Sequence, residues 1–252
     1  MKKSLLIAIL SVFVIGPALA QEEPIPPRRS RAMKVGLFAG YTPGYLFVDT
    51  APINKYLQGA GGEPFGEDGL YLHGGGGAIY IMVLPNVRVG GMGMSGSTMT
   101  SKTVNGVRKE SELSVGFGGL TFEYVWTLGG KFDVALGSAI GWGSTTVTLR
   151  QNIGTDKSWE TEWGTFGSGN YQNGAQIVDV RREMRGSFFT VVPAVNLEYA
   201  PLSWLAIRLG ASYVGMFFPS WSLDTEYDLK GVPSNVNGSG FMVNGGILLG
   251  TF

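Results

Sequence analysis

From residue 132 the chain alternates with a period of two. Phe132, Val134, Leu136, Ser138, Ile140 and Trp142 fall on one side of an extended segment, and Asp133, Ala135, Gly137, Ala139, Gly141 and Gly143 on the other. The pattern returns over 204–217, with Leu205, Ile207, Leu209, Ala211, Tyr213 and Phe217 opposite Ala206, Arg208, Gly210 and Ser212. It returns again over 185–199, where Phe189, Val191, Pro193, Val195, Leu197 and Tyr199 oppose Thr190, Ala194, Asn196 and Glu198. Strand side chains point to alternate faces, so each segment presents one large apolar face and one small or polar face. Eight such segments are predicted, near 33–42, 69–84, 87–101, 112–126, 131–149, 185–199, 204–217 and 239–252. They exceed the usual soluble strand and are long enough to cross a bilayer, which takes ~9–11 residues.

The connections separate by length. Short ones are predicted at Pro85-Asn86, at Thr127 to Gly130 and at Ala200 to Ser203, and long ones at 43–68, 102–111, 150–184 and 218–238. Long and short alternate along the chain. That asymmetry predicts an all-β fold, an eight-stranded antiparallel transmembrane up-and-down barrel with short periplasmic turns and long extracellular loops. No run after the first twenty residues reaches the ~18 apolar residues of a transmembrane helix.

Those first residues have their own pattern. Lys2 and Lys3 precede an apolar run from Leu5 to Ile15, and Ala18-Leu19-Ala20 offers a small-residue cleavage site. Eleven residues rise only ~16 Å as a helix, too little to span. The expected organisation is a cleaved signal peptide at 1–20, a flexible periplasmic segment at 21–32 and the barrel at 33–252. The segment 21–32 is rich in proline and arginine and lacks an apolar period. Gln21, not cysteine, follows the cleavage site, which excludes a lipoprotein. The predicted location is the outer membrane of a Gram-negative cell.

With its signal segment, eight amphipathic strands, alternating connections and Phe252 at its end, the chain resembles the small outer-membrane barrels typified by OmpA, OmpX and OmpW. The resemblance is architectural and covers 33–252. It implies outer-membrane lipid and lipopolysaccharide as surroundings. The peptidoglycan-binding domain that OmpA-like proteins often carry is not expected here. Barrels of this group usually keep the apolar residues of the last strand in phase with the terminal Phe. Here Phe241, Val243, Ile247 and Leu249 have the opposite phase, so a bulge is expected near Gly250-Thr251.

Composition narrows the chemistry. Glycine supplies 40 of 252 residues without a period of three, which excludes a collagen. Cysteine is absent and there is one histidine, so disulfides and cysteine-ligated metals are excluded. The net charge is zero, and loss of residues 1–20 leaves 17 Lys and Arg against 19 Asp and Glu, so nucleic acid is not an expected partner. Gly91-Met92-Gly93-Met94-Ser95-Gly96 spells a dinucleotide fingerprint but lies inside a strand pattern with no helix to follow. His73 has Gly75, not serine, two residues on, although Ser95 or Ser114 could approach from another strand. It reads as a rim histidine, and no catalytic, cofactor or metal site is expected. Asp224, Glu226 and Asp228 alternate along what reads as an extended hairpin projection, and Asn237-Gly238-Ser239 reads as a turn.

Three groups of residues stand out. Alternation turns Lys34, Arg88, Glu123, Asp133, Glu198 and Arg208 toward the lumen near the periplasmic end. In a narrow lumen such charges must pair, and Arg208 is expected to meet Glu198 across the turn at 200–203. Tyr124, Trp126, Tyr199 and Trp204 lie beside short turns, where an interfacial aromatic girdle belongs. Trp159, Trp163, Phe166 and Tyr171 dot a long Gly-, Ser- and Asn-rich loop suited to recognition. The expected function is non-enzymatic: a structural anchor that displays loops for a protein partner or adhesion. The alternative is OmpW-like, porin-like passage of small or apolar solutes, along a path lined by Met92, Met94, Met99, Met216 and Met242. A lipid-modifying enzyme is third.

Overall fold

The structure is a computed structural model that describes residues 36–81, 83–152, 158–160, 163–164 and 180–252. The strands are β1 (Leu37–Tyr41), β2 (Gly44–Val48), β3 (Leu70–Tyr80), β4 (Val87–Val104), β5 (Val107–Gly129), β6 (Phe132–Asn152), β7 (Val180–Leu202), β8 (Leu205–Leu223), β9 (Tyr227–Asp228) and β10 (Gly240–Gly250). One helix, α1 (Ala51–Gly59), follows β2. Every pairing is antiparallel, each long strand lies beside its sequence neighbour, and β10 pairs with β8 on one side and with β1 and β2 on the other. The sheet therefore closes on itself as a ring of eight strands, which leaves no free edge.

β1 and β2 form one staff of that ring. Tyr41 faces Ile247 and Gly44 faces Asn244, with the same two-residue gap on both sides. Pro43, which lacks an N–H, interrupts the ladder without shifting its register. The first strand thus runs through Val48, six residues past its predicted end, because Tyr45 and Phe47 continue the outward face while Gly44, Leu46 and Val48 are buried.

The connection predicted at 102–111 is not a long loop. β4 and β5 pair without a break as far as Val104 and Val107 and turn through Asn105-Gly106, whose φ angles of 51° and 78° are those of a tight hairpin turn. With 18 to 23 residues each, β4 to β7 exceed what a membrane crossing needs and extend past it. The other predicted correction concerns 224–228. Asp224 and Thr225, at φ 51° and 63°, form a turn that returns β9 onto β8, so the three acidic residues do not share one extended face.

No bulge occurs near Gly250. β10 stays in register with β8 from Gly240 to Leu249 and with β1 to Gly250. Simple continuation of the alternation sends Phe252 inward, where its ring stacks on Phe38 with centroids 5.7 Å apart. Phe241, Val243, Ile247 and Leu249 remain outside and exposed.

Helix α1 was not foreseen inside 43–68. Pro52 sits in its first turn, where a missing N–H costs nothing, and Asp49 accepts a hydrogen bond from the Ala51 N–H at 3.0 Å. Ile53 and Leu57, one turn apart, are buried. Asn54 binds Phe65 through both of its amide atoms, at 2.9 and 2.8 Å, and so fixes the strand approach that follows.

Candidate functional site

The interior is stratified. In the third of the barrel nearest the short turns, Arg88 of β4, Glu123 of β5, Glu198 of β7 and Arg208 of β8 all face inward, each set there by strand alternation. Arg88 is 1% exposed and is the largest fully buried side chain described. Its Nε meets Glu123 at 2.5 Å, and its two terminal nitrogens donate to Glu198 at 2.9 and 2.5 Å. Arg208 lies 2.6 Å from Glu198 and 3.6 Å from Glu123, and Asn196 Nδ2 donates to Glu123 at 3.1 Å. Two cations and two anions thus pair, Arg88 through three hydrogen bonds and Arg208 through ion-pair contacts, with Nε and Nη2 of Arg208 making no hydrogen bond among the described residues. The Phe38 ring lies against both guanidinium groups, 4.9 Å from that of Arg88 and 5.3 Å from that of Arg208, with Phe252 stacked behind it.

Of the six residues grouped by alternation, these four come together. Asp133 also faces inward and is opposite Glu198 in the β6–β7 register, while Lys34 lies outside the described residues. Phe38 and Phe252 were missed as members of the cluster. Parity in β1 and β10 was the available signal, since Phe252 has the same parity as the buried Met242 and Leu248, and Phe38 is the buried position of β1.

Above this layer the lumen narrows to a cavity of about 50 Å³ bordered by Thr42, Asn196, Ser212, Asn244 and the methionines Met92, Met94 and Met242. Met216 is also buried, but Met99 points outward and is exposed. Above that, Leu46, Leu72, Leu113, Val115, Phe117 and Val214 form a packed apolar core, into which Ile53 and Leu57 of α1 insert. This part of the lumen is therefore filled as a protein core is, in keeping with the limited width of eight strands.

At the mouth opposite the short turns the walls part again. A cavity of about 680 Å³ lies between α1, the segment 229–236 and the inner faces of β6 to β8. Its wall includes Val147, Leu149, Met184 and Trp221, and its charged members are Lys109, Arg150, Arg182, Lys230 and Glu110. Lys109 Nζ donates to the Ala60 carbonyl at the C-terminal end of α1, at 2.5 Å, and Lys102 pairs with Glu63 at 3.5 Å. These contacts fasten α1 to the β4–β5 hairpin. Nothing in the hydrophobic pattern alone announced this cavity, because its walls come from six separated stretches of chain.

The outer surface carries two aromatic belts. Tyr124, Trp126, Tyr199 and Trp204 point outward at the end with the short turns, with Tyr124 and Trp126 rings 4.7 Å apart and Tyr199 stacked on Phe132 at 4.8 Å. Toward the other end lie Phe47 with Phe241, 6.3 Å apart, and Trp142 with Phe189, also 6.3 Å apart. His73 belongs to this outer surface. Its Nδ1 hydrogen-bonds to the Tyr41 hydroxyl at 2.7 Å, and Tyr71 meets its ring edge-on at 4.8 Å. Ser95 faces it across the β3–β4 pair, yet among the described residues no hydrogen bond joins the two. The glycine-rich fingerprint match at 91–96 is uninterrupted β-strand. Asn237 accepts from the Ser239 N–H at 2.9 Å, as a turn residue does.

Of the loop aromatics, Trp159 and Trp163 are exposed and lie edge to face, 5.6 Å apart. Phe166 and Tyr171 lie outside the described residues. Among the described residues no helix is long and apolar enough to cross a membrane, and no group of three His, Asp or Glu stands ready to hold a metal.

The fold is an antiparallel β-barrel closed by a ring of eight strands. No protein-family model matches the chain, and no curated protein matches it. Solved structures to which it is similar include Ail, the attachment invasion locus protein of Yersinia pestis, at 11% identity, 86% of this chain, 100% of that one and a TM-score of 0.39. They also include the N-terminal barrel domain of Pseudomonas aeruginosa OprF, at 12% identity over 86% and 99% with a TM-score of 0.36. A third is a major outer membrane protein of Thermus thermophilus, at 8% identity over 86% and 100% with a TM-score of 0.46.

Proposed function

We propose that this protein is exported through a cleaved signal peptide at 1–20 and inserted into the outer membrane. There it is a non-enzymatic anchor that holds a recognition surface outside the cell. The observation that carries the reading is the contrast between the two ends of the lumen. The periplasmic third is occupied by the Arg88, Glu123, Glu198 and Arg208 cluster and Phe38, with about 50 Å³ free above it, while the mouth holds about 680 Å³. A pore needs a continuous path. An anchor needs only a stable wall and an accessible outer end.

The exposed Trp159–Trp163 pair and the walls of the mouth supply amphipathic contact area of the kind that recognition sites use. Partners consistent with this are lipopolysaccharide and neighbouring lipid around the belts, and a protein docked on the extracellular loops. Steady solute passage, the second reading, is disfavoured by the ion cluster that lies across the lumen.

Epitope insertion tests the topology. A tag placed at Asn105-Gly106 should be labelled by antibody on intact cells, and one placed at Gly130-Lys131 only after the outer membrane is permeabilised. Labelling of the second tag on intact cells, or of neither tag on cells that carry the folded protein, overturns the proposal.

A further inference from the structure

The mouth cavity is shaped for a particular kind of molecule. Its volume, about 680 Å³, lies within the ~300–1,000 Å³ of sites that bind small organic ligands. The wall is aliphatic and aromatic: Ile53 and Leu57 of α1, Val147 and Leu149 of β6, Met184 of β7 and Trp221 of β8. Met and Trp side chains adapt to flexible apolar groups better than to rigid polar ones. The floor is the packed core below Val147 and Leu57, so the cavity is a dead end.

The charges are uneven. Four cationic residues border the cavity against one acidic residue, Glu110. Three of the four have other work: Lys109 holds the end of α1, Arg150 pairs with Glu112 at 3.4 Å and Arg182 pairs with Asp224 at 2.6 Å. Lys230 is exposed and has no ion-pair partner among the described residues. An apolar chamber with a cation at its opening matches an apolar chain with an anion at its end.

We infer that the mouth cavity binds a free single-chain amphiphile with an anionic head, the chain lying against Val147, Leu149, Met184 and Trp221 and the head beside Lys230. This rests on the reading of the mouth as a recognition surface, and names what that surface takes. Val147, Leu149 and Met184 in its lining lie on the inner faces of β6 and β7, so the proposed route of entry is the external medium and not the surrounding bilayer.

Trp221 supplies the reporter. The test uses the folded protein in zwitterionic vesicles, with Trp126, Trp142, Trp159, Trp163 and Trp204 replaced by Phe, titrated with dibrominated stearate. Saturable quenching of Trp221 is expected. The methyl ester of the same acid should bind on the order of tenfold more weakly, the effect of one lost charge-assisted hydrogen bond. Lys230→Glu should weaken stearate binding similarly and leave the ester unchanged. Leu149→Trp, in a background that retains quenchable Trp221, should abolish saturation by filling the chamber.

Equal binding of acid and ester overturns the head-group assignment. Quenching by brominated phospholipid in the bilayer overturns the external source, and quenching that never saturates overturns the site. Lys230→Glu alters an exposed loop side chain, so it keeps the test decisive if Leu149→Trp does not fold. Absent quenching alongside the expected epitope pattern removes this inference alone. A wrong epitope pattern removes the anchor reading beneath it.

Discussion

Arg88 and Glu198 lie 110 positions apart in the chain and meet across the lumen through two hydrogen bonds, at 2.9 and 2.5 Å. β4 and β7 are not neighbours in the ring; β5 and β6 intervene. The pair therefore braces the barrel from within, and it is supported on either side by Glu123 and Arg208.

A buried charge that loses its partner is costly, so Arg88→Ala should destabilise the barrel by ~3–5 kcal/mol, measured by urea unfolding in lipid vesicles. Replacing Arg88, Glu123, Glu198 and Arg208 together by apolar residues of similar volume should cost less than that single truncation. A single variant as stable as the natural protein contradicts the bracing role.

The extension of β7 and β8 at the mouth should loosen in acid. Asp224 is half-buried, and its carboxyl is held below the usual carboxylate range by the Glu183 N–H, which donates to it, and by Arg182. A depressed carboxylate stabilises the folded form above its unfolded pKa, and that contribution is lost as pH falls through the folded value. Amide exchange near Glu183 and Leu223 should accelerate below the ordinary carboxylate range. Asp224→Asn should remove that dependence while tolerating the left-handed backbone at this position.

Gly106→Val should strain the tip of the β4–β5 hairpin, because φ at this position is 78°. A cost of about 1–2 kcal/mol is expected for a side chain in that region. Exchange should speed up at Val104 and Val107 while the amides flanking Arg88 remain protected. Uniform loss of protection would mean that the hairpin tip nucleates the whole barrel.

Tyr124, Trp126, Tyr199 and Trp204 should sit at the depth of lipid head groups. In variants that keep only Trp126 or only Trp204, fluorescence should be quenched more by lipids brominated near the head group than by lipids brominated at the chain ends. The reverse order would contradict an interfacial girdle.

Much of the barrel was legible because alternation is a local property. Phe132 through Trp142 declare both faces within eleven residues, and Pro85-Asn86 or Gly129-Gly130 mark reversals directly. Asn105-Gly106 was equally legible as a hairpin turn, but the run of polar residues around it, from Lys102 to Glu110, resembled a solvated loop. That polarity belongs to strands that have left the membrane. α1 was obscured by its shortness: Ile53 and Leu57 make a single apolar contact stripe, too little to show a period.

The lumen cluster shows what a pattern can and cannot provide. Parity turned Arg88, Glu123, Glu198 and Arg208 inward, yet only the closed ring decides that Arg88 reaches Glu198 from three strands away. Phe38 and Phe252 join the cluster through that same closure, which brings β1 beside β10. The mouth cavity is further still from the sequence, since α1, β5, β6, β7, β8 and the segment 229–236 each contribute only a few residues.

Single-channel recording tests the closed lumen most directly. The folded mature chain, reconstituted in a planar bilayer with insertion verified by protease protection, should leave the membrane electrically silent at moderate voltage. Steady openings of defined size, present in the natural protein and altered in Arg208→Ala, would show that ions pass the Arg88–Glu198 layer, and would contradict the account of this barrel as a closed anchor.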